Sequence, residues 1–272
     1  MKKERLLKTL LYIIIISIIM VTGVIIYEIK TANNSYFIGE RNLQIPIFVY
    51  HDIVGDKSEI EHDYMETTAE RFEYQIVGLM KLGYTPISYE QLVRYKNKEI
   101  AIPKFSFIIT FDDGYDGVYE YAYPIAKKYN IPMTVFEIDE NMGTEEVLTW
   151  EQAKEMHDSG LISIYSHGYE HLEYDKEPVE KLVELTNKSY QNIVDNLEDE
   201  NILKVFTYPY GLYNDETISA LEKEGYIQNL TDNKVNQSNK LDLSRLHRCY
   251  PLGDSVFKII LKIQYRSVRY GG

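Results

Sequence analysis

The chain has one cysteine, Cys249, and one tryptophan, Trp150. A single thiol excludes an internal disulfide and any site built on several thiolates. A metal here would have to take imidazole or carboxylate ligands. No Gly-x-Gly-x-x-Gly and no Gly-Lys-Ser/Thr follows a strand-like run, which argues against a nucleotide phosphate cradle. Basic residues are also short: 29 Lys and Arg face 42 Asp and Glu, a net charge of −13. That balance argues against nucleic acid or an anionic polymer as partner. It tolerates a neutral substrate and attracts a cationic product.

Only one long apolar run is present. Leu10 to Ile26 is interrupted only by Ser17, Thr22 and Gly23, and Lys2, Lys3, Arg5 and Lys8 precede it. This pattern predicts a single-pass membrane anchor over 10–27, a cytoplasmic basic tail over 1–9, and an extracellular remainder at the cell membrane. The bulky Ile25-Ile26-Tyr27-Glu28 lacks a small-x-small cleavage pattern and favours an uncleaved anchor over a signal peptide. Residues 28–44 read as a polar linker, with Thr31-Ala32-Asn33-Asn34-Ser35 lacking periodicity. Residues 45–272 are long enough for one domain with a full core.

Within that domain, strand and helix patterns alternate. Strand-like runs are predicted at 45–50, 104–111, 133–138, 161–166, 204–208, 226–230 and 243–249. Between them lie helical stripes such as Phe72, Ile76, Leu79 and Met80, opened by a Thr67/Glu70 capping box. Ser88/Gln91 and Thr149/Gln152 mark further helix starts, and Asn214 opens another. Leu182, Leu185, Ser189, Ile193 and Leu197 form one long stripe, and 255–266 reads as a closing helix. The alternation predicts an α/β fold, a (β/α) barrel of about seven strands, with an open doubly wound sheet as the alternative.

Polar outliers fall at the predicted C-terminal strand ends, where a barrel carries its chemistry. Phe107-Ile108-Ile109-Thr110-Phe111 runs into Asp112-Asp113-Gly114. Two carboxylates at the end of a buried strand need a metal, a cation or a proton to handle. Ile162-Ser163-Ile164-Tyr165-Ser166 runs into His167-Gly168-Tyr169-Glu170-His171. Two imidazoles four residues apart, with one carboxylate, suit a divalent catalytic ion with an open position. Val205-Phe206-Thr207 leads to Tyr208-Pro209-Tyr210-Gly211. Pro209 has no N–H, so Tyr210 is the first backbone donor of that loop. His51 follows the first strand, and His247 lies near the last.

Taken in order, these three stretches resemble the polysaccharide deacetylase family, carbohydrate esterase family 4. The matching pieces are Thr110-Phe111-Asp112-Asp113-Gly114, Ser166-His167-Gly168-Tyr169-Glu170-His171 and Tyr208-Pro209-Tyr210-Gly211. The resemblance covers about residues 45–266. It implies a distorted (β/α) barrel and metal-dependent removal of N-acetyl groups from N-acetylhexosamine sugars. It further implies Asp113, His167 and His171 as metal ligands, Asp112 as general base, and the Tyr210 N–H as an oxyanion donor. Departures occur as well. Thr207 stands where many members carry an arginine, Trp150 is not in the usual late position, and Leu246-His247 is out of register with Leu-x-His. These point to the branch acting on exported poly-N-acetylglucosamine of biofilm or cell surface. That branch resembles this chain in Val49-Tyr50-His51-Asp52 and in Leu243-Ser244-Arg245-Leu246.

In that branch the histidine of the Tyr-His pair is the general acid, which favours His51, with His247 left open as the alternative. The ion expected is divalent, with zinc favoured. The expected partners are an N-acetylglucosamine polysaccharide, the membrane through the N-terminal helix, no nucleic acid, and a polysaccharide synthase or export complex. Peptidoglycan or chitin-oligomer deacetylation, and an idle sugar-binding role, are the alternatives. Adjacent residues on a regular strand face opposite ways, so Asp112 and Asp113 can share one site only if the strand ends before them.

Overall fold

The computed structural model describes residues 9–20, 22–23, 35–39, 42–60, 65–251 and 254–270. Eight parallel strands carry the site: β1 (Ile47–Tyr50), β2 (Thr85–Pro86), β3 (Ser106–Phe111), β4 (Met133–Glu137), β5 (Ile162–Ser166), β6 (Val205–Thr207), β7 (Ile227–Leu230) and β8 (Leu246–His247). Seven of them run in the order β8-β7-β6-β5-β4-β3-β1, and β2 pairs the N-terminal half of β3. A parallel bridge between Phe48 and Cys249 brings the two ends together. It uses Val49 N–H to the Cys249 carbonyl (3.1 Å) and Cys249 N–H to the Ile47 carbonyl (2.9 Å). The result is a nearly closed seven-strand parallel barrel, and the lone cysteine lies at its seam. The doubly wound alternative is excluded.

Every residue of β1, β3 and β4 is buried, as parallel strands covered on both faces require. The outer helices are α1 (Ala69–Lys81), α2 (Tyr89–Lys96), α3 (Tyr123–Tyr129), α4 (Trp150–Asp158), α5 (Val179–Leu197), α6 (Asp215–Lys223) and α7 (Val256–Tyr270). Capping boxes at Ser88/Gln91 and Thr149/Gln152 form as the sequence predicts, and Asn214 caps α6. The α1 cap shifts by one residue. Thr68, the last residue of a short strand, Glu66–Thr68, accepts the Arg71 N–H in place of Thr67. A π-helical turn at Val118–Ala122 leads directly into α3. The last predicted strand, 243–249, is regular only at Leu246–His247.

The N-terminal expectation is corrected. The predicted span over 10–27 is described only at 10–20 and 22–23, all helical. Among the described residues no helix is long and apolar enough to cross a membrane. The single-pass membrane assignment, with its extracellular domain, is therefore not supported. Residues 1–8 and 28–34 lie outside the described residues. Within the predicted linker, Ser35–Tyr36 pairs antiparallel with Ile102–Pro103, and Leu43 is buried.

Candidate active site

The C-terminal ends of the strands open into a cleft of about 710 Å³. Three turns deliver the motif residues, and each uses left-handed backbone. β3 ends at Phe111; Asp113 has φ 71° and Gly114 φ 75°. That break answers the facing problem: the chain leaves the strand before Asp113, so Asp112 and Asp113 line the same cleft. A non-glycine residue in this region is uncommon, and Asp tolerates it better than most because its short side chain bonds locally. After β5, Gly168 has φ 104°, and a Cβ there would stand 2.8 Å from the Glu170 carbonyl oxygen. After β6, Tyr210 has φ 57°. The residue is 64 % exposed, and its ring lies 4.2 Å, centroid to centroid, from that of His171.

Asp113 Oδ1 lies 3.3 Å from His167 Nε2 and 3.6 Å from His171 Nε2. One ligand atom from each residue falls within 4.8 Å of the others. His167 Nδ1 is 2.9 Å from the Thr207 carbonyl, so Nδ1 carries the proton and Nε2 presents its lone pair to the cleft. His171 Nε2 is buried and has no hydrogen-bond partner among the described residues. An orphaned imidazole nitrogen beside a carboxylate and a correctly oriented second imidazole fits a divalent cation. Burial, reinforced by His167, lowers His171 to about 4, which leaves its nitrogen free of a proton at neutral pH. Burial pushes Asp113 up, but the His167 contact and the other imidazoles outweigh it and hold the carboxyl at about 2.

Asp112 is held differently. Its Oδ1 accepts from Arg248 Nη1 at 2.6 Å and its Oδ2 from Nη2 at 2.8 Å. Arg248 is fully buried and is braced by the Thr231 and Thr110 hydroxyls. Burial alone would raise Asp112, yet the guanidinium and nearby imidazoles keep it below the ordinary carboxylate value. It stays ionised, and each oxygen keeps a second lone pair for an incoming proton. His51 lines the same cleft, with Nδ1 buried and without a hydrogen-bond partner among the described residues. Its ring lies parallel to Tyr250 at 6.3 Å. Burial lowers its pKa despite the pull of Asp112 and Asp113.

The structure thus brings together Asp112, Asp113, His167, His171, His51 and Tyr210. It places His247 in another cleft, 2.9 Å from Asp232 Oδ2, because β8 alternates and turns His247 away from Arg248. His157 pairs with Asp199 at 3.2 Å on the outer surface of the barrel. Sequence reasoning missed Arg248. Two signals were available: a cation two residues after buried Leu246, on the same strand face, and Thr207 standing where many members carry arginine. The guanidinium comes from the barrel's closing strand, and Thr207 offers its carbonyl to His167. The cleft walls Met65 and Tyr250 were also unforeseen, since nothing local marks them.

A family profile described as polysaccharide deacetylase matches residues 100–228. The Bacillus subtilis (strain 168) protein YxkH, whose name carries that family, is 32% identical over 210 residues, 77% of this chain and 72% of its own. The chain belongs to the polysaccharide deacetylase family. A Staphylococcus aureus poly-β-1,6-N-acetyl-D-glucosamine N-deacetylase is 32% identical over 168 residues, which cover 57% of each chain. Among solved structures, the Streptococcus pyogenes deacetylase PplD in complex with acetate superposes with TM-score 0.73 at 25% identity, over 82% of this chain and 99% of that one. IcaB from Ammonifex degensii gives TM-score 0.70 at 24% identity, over 81% and 97%. The protein is a hydrolase of amide bonds in acetylated polysaccharide, as the motifs imply.

Proposed function

We infer that this polysaccharide deacetylase is metal-dependent and removes N-acetyl groups from poly-β-1,6-N-acetylglucosamine, releasing acetate. The observation that carries the chemistry is the convergence of the Asp113–His167–His171 cluster and the Arg248-held Asp112 in one cleft. Asp113, His167 and His171 would hold the ion. When bound, a divalent ion, zinc by preference, lowers the pKa of water towards roughly 7 and polarises a carbonyl oxygen. Asp112, kept ionised by Arg248, takes the proton from the attacking water. The Tyr210 N–H, presented by the left-handed turn, donates to the oxyanion that develops from the acetamide carbonyl. His51, in its protonated form, gives a proton to the departing amine; because burial lowers its pKa, that form is the minor one at neutral pH. The exposed Tyr210 ring and Tyr250 offer flat apolar faces to a sugar ring.

The substrate assignment rests on the staphylococcal relative and on the Val49-Tyr50-His51-Asp52 and Thr207-Tyr208-Pro209-Tyr210-Gly211 stretches. The test is acetate release from poly-β-1,6-N-acetylglucosamine, peptidoglycan and chitin oligomers, each with and without chelator. Chelator-sensitive release from the first is expected. Release only from peptidoglycan or chitin would move the substrate, and release indifferent to chelator would overturn the metal dependence.

A further inference from the structure

Helix α5 carries polar residues on its buried side. Thr186 and Ser189 are fully buried and Asn192 is half-buried, each about one helical turn from the next. Buried polar groups need partners, and these find them. Thr186 meets the Tyr174 hydroxyl, while Ser189 and Asn192 face two carboxyls at the end of β4. Ser189 Oγ lies 3.4 Å from Glu137 Oε1 and 2.6 Å from Ser166 Oγ. Asn192 Nδ2 donates to Asp139 Oδ1 at 2.9 Å. Glu137 Oε2 and Asp139 Oδ2 find no hydrogen-bond partner among the described residues, and the two carboxyls lie close enough to act on each other.

None of these side chains lines the cleft, and the reaction assigns them nothing. Their contacts converge on one feature, the turn that carries His167 and His171. Ser166 Oγ, fixed by Ser189, accepts the Gly168 N–H at 3.0 Å. The Glu137 carbonyl accepts the His167 N–H at 2.7 Å. Asp139 N–H donates to the Gly168 carbonyl at 3.3 Å, and Glu140 N–H to that of Tyr169 at 3.1 Å. The turn therefore lies on a platform made by residues 137–140 and locked from behind by α5.

We propose that Glu137, Asp139 and Ser189 are positioning residues that fix the His167–His171 turn and so set the metal affinity of the site. This rests on the reading of Asp113, His167 and His171 as metal ligands. Ligand atoms must stand within a few tenths of an ångström of their ideal distances, and an outer partner that holds them there carries part of the affinity.

The test uses the full-length chain and zinc alone, with affinity read by competition against a chromophoric chelator and melting temperature read on metal-free protein. Ser189→Ala and Glu137→Leu are expected to weaken zinc binding about tenfold. Glu137→Gln, which keeps the shape and can donate to Asp139, is expected to stay within about threefold of the parent. Parent-like affinity in Ser189→Ala and Glu137→Leu would overturn the proposal, as would equal losses in Glu137→Gln and Glu137→Leu. Should Glu137→Leu fail to fold, Ser189→Ala decides alone, since it removes one hydroxyl. No polysaccharide enters the assay, so a wrong substrate leaves the outcome readable. A parent that binds no zinc overturns this proposal and the metal site together, whereas a binding parent with unaffected variants overturns this proposal alone.

Discussion

Two buried acids stand at the ends of neighbouring strands, and their surroundings send them opposite ways. Asp112, after β3, faces a guanidinium that grips both its oxygens. Glu137, at the end of β4, faces another carboxyl and a serine. Burial disfavours the charge on each. At Asp112 the cation and imidazoles outweigh it, and the group stays below its ordinary value. At Glu137 burial and the Asp139 charge act together and push the carboxyl well above it. Burial alone does not decide whether an acid is ionised; the partner does. One acid is thereby held towards its ionised form beside the cleft, and the other towards its protonated form beneath it.

The same isosteric change should separate them. Asp112→Asn removes the acceptor of the water proton. Acetate release is expected to fall about 10²- to 10⁴-fold while bound metal, measured by elemental analysis, is retained. Parent-like turnover in that variant would sink the base assignment. Breaking the comparison from the other side means removing the cation. Arg248→Met leaves Asp112 buried and unpaired, at a cost of about 3–5 kcal/mol in denaturant unfolding. With the guanidinium gone, burial dominates and Asp112 rises. The acid limb of the activity profile should then move to higher pH, because the base is protonated sooner. An acid limb that stays in place would show that Arg248 does not govern Asp112.

How much of this could be read from residues follows from what each pattern encodes. Buried parallel strands show as apolar runs, so β1, β3, β4 and β5 were legible, as were the helix starts at Ser88, Thr149 and Asn214. Asp112, Asp113, His167 and His171 were legible because chemistry at a strand end interrupts such a run. Arg248 was not, because its partner lies 136 residues away in sequence and the contact exists only once β8 closes the barrel. Glu137 and Ser189 were read as parts of a strand and of a helical stripe for the same reason: their polar partners come from different elements. The N-terminal run shows the opposite failure. Its hydropathy predicted a span that the described helix does not support.

The two histidines left open by the sequence give a smaller effect to measure. His51 lies in the cleft with Nδ1 unbonded among the described residues, whereas His247 is committed to Asp232 outside it. His51→Ala is expected to lower kcat about 10²-fold with metal retained. His247→Ala is expected to leave kcat within about twofold, since surface changes away from such features cost little. The reverse ranking would transfer the acid role to His247.

Asp52 supplies an intermediate case and the smallest effect. It has neither the cation of Asp112 nor the bonded carboxyl of Glu137. It accepts the Ile53 N–H at 2.7 Å, and Asp116, Glu66 and Glu146 crowd around it. Burial, with those charges, raises it from the ordinary 3.8 to about 6. The folded protein therefore binds more protons than the unfolded chain between these values. Stability falls as pH rises through that window, and the whole penalty is present above about pH 6. Asp52→Asn keeps an oxygen for Ile53 and carries no charge. It is expected to stabilise the protein by about 1–2 kcal/mol at neutral pH, less than the full shift implies because the group is partly solvated. The gain should vanish near the ordinary carboxylate pKa, so urea midpoints at the two ends of the window give the answer. A variant no more stable than the parent at neutral pH would mean that the surrounding acids relax around Asp52. Partner chemistry would then govern buried carboxyls here only where, as at Asp112 and Glu137, the partner is bonded.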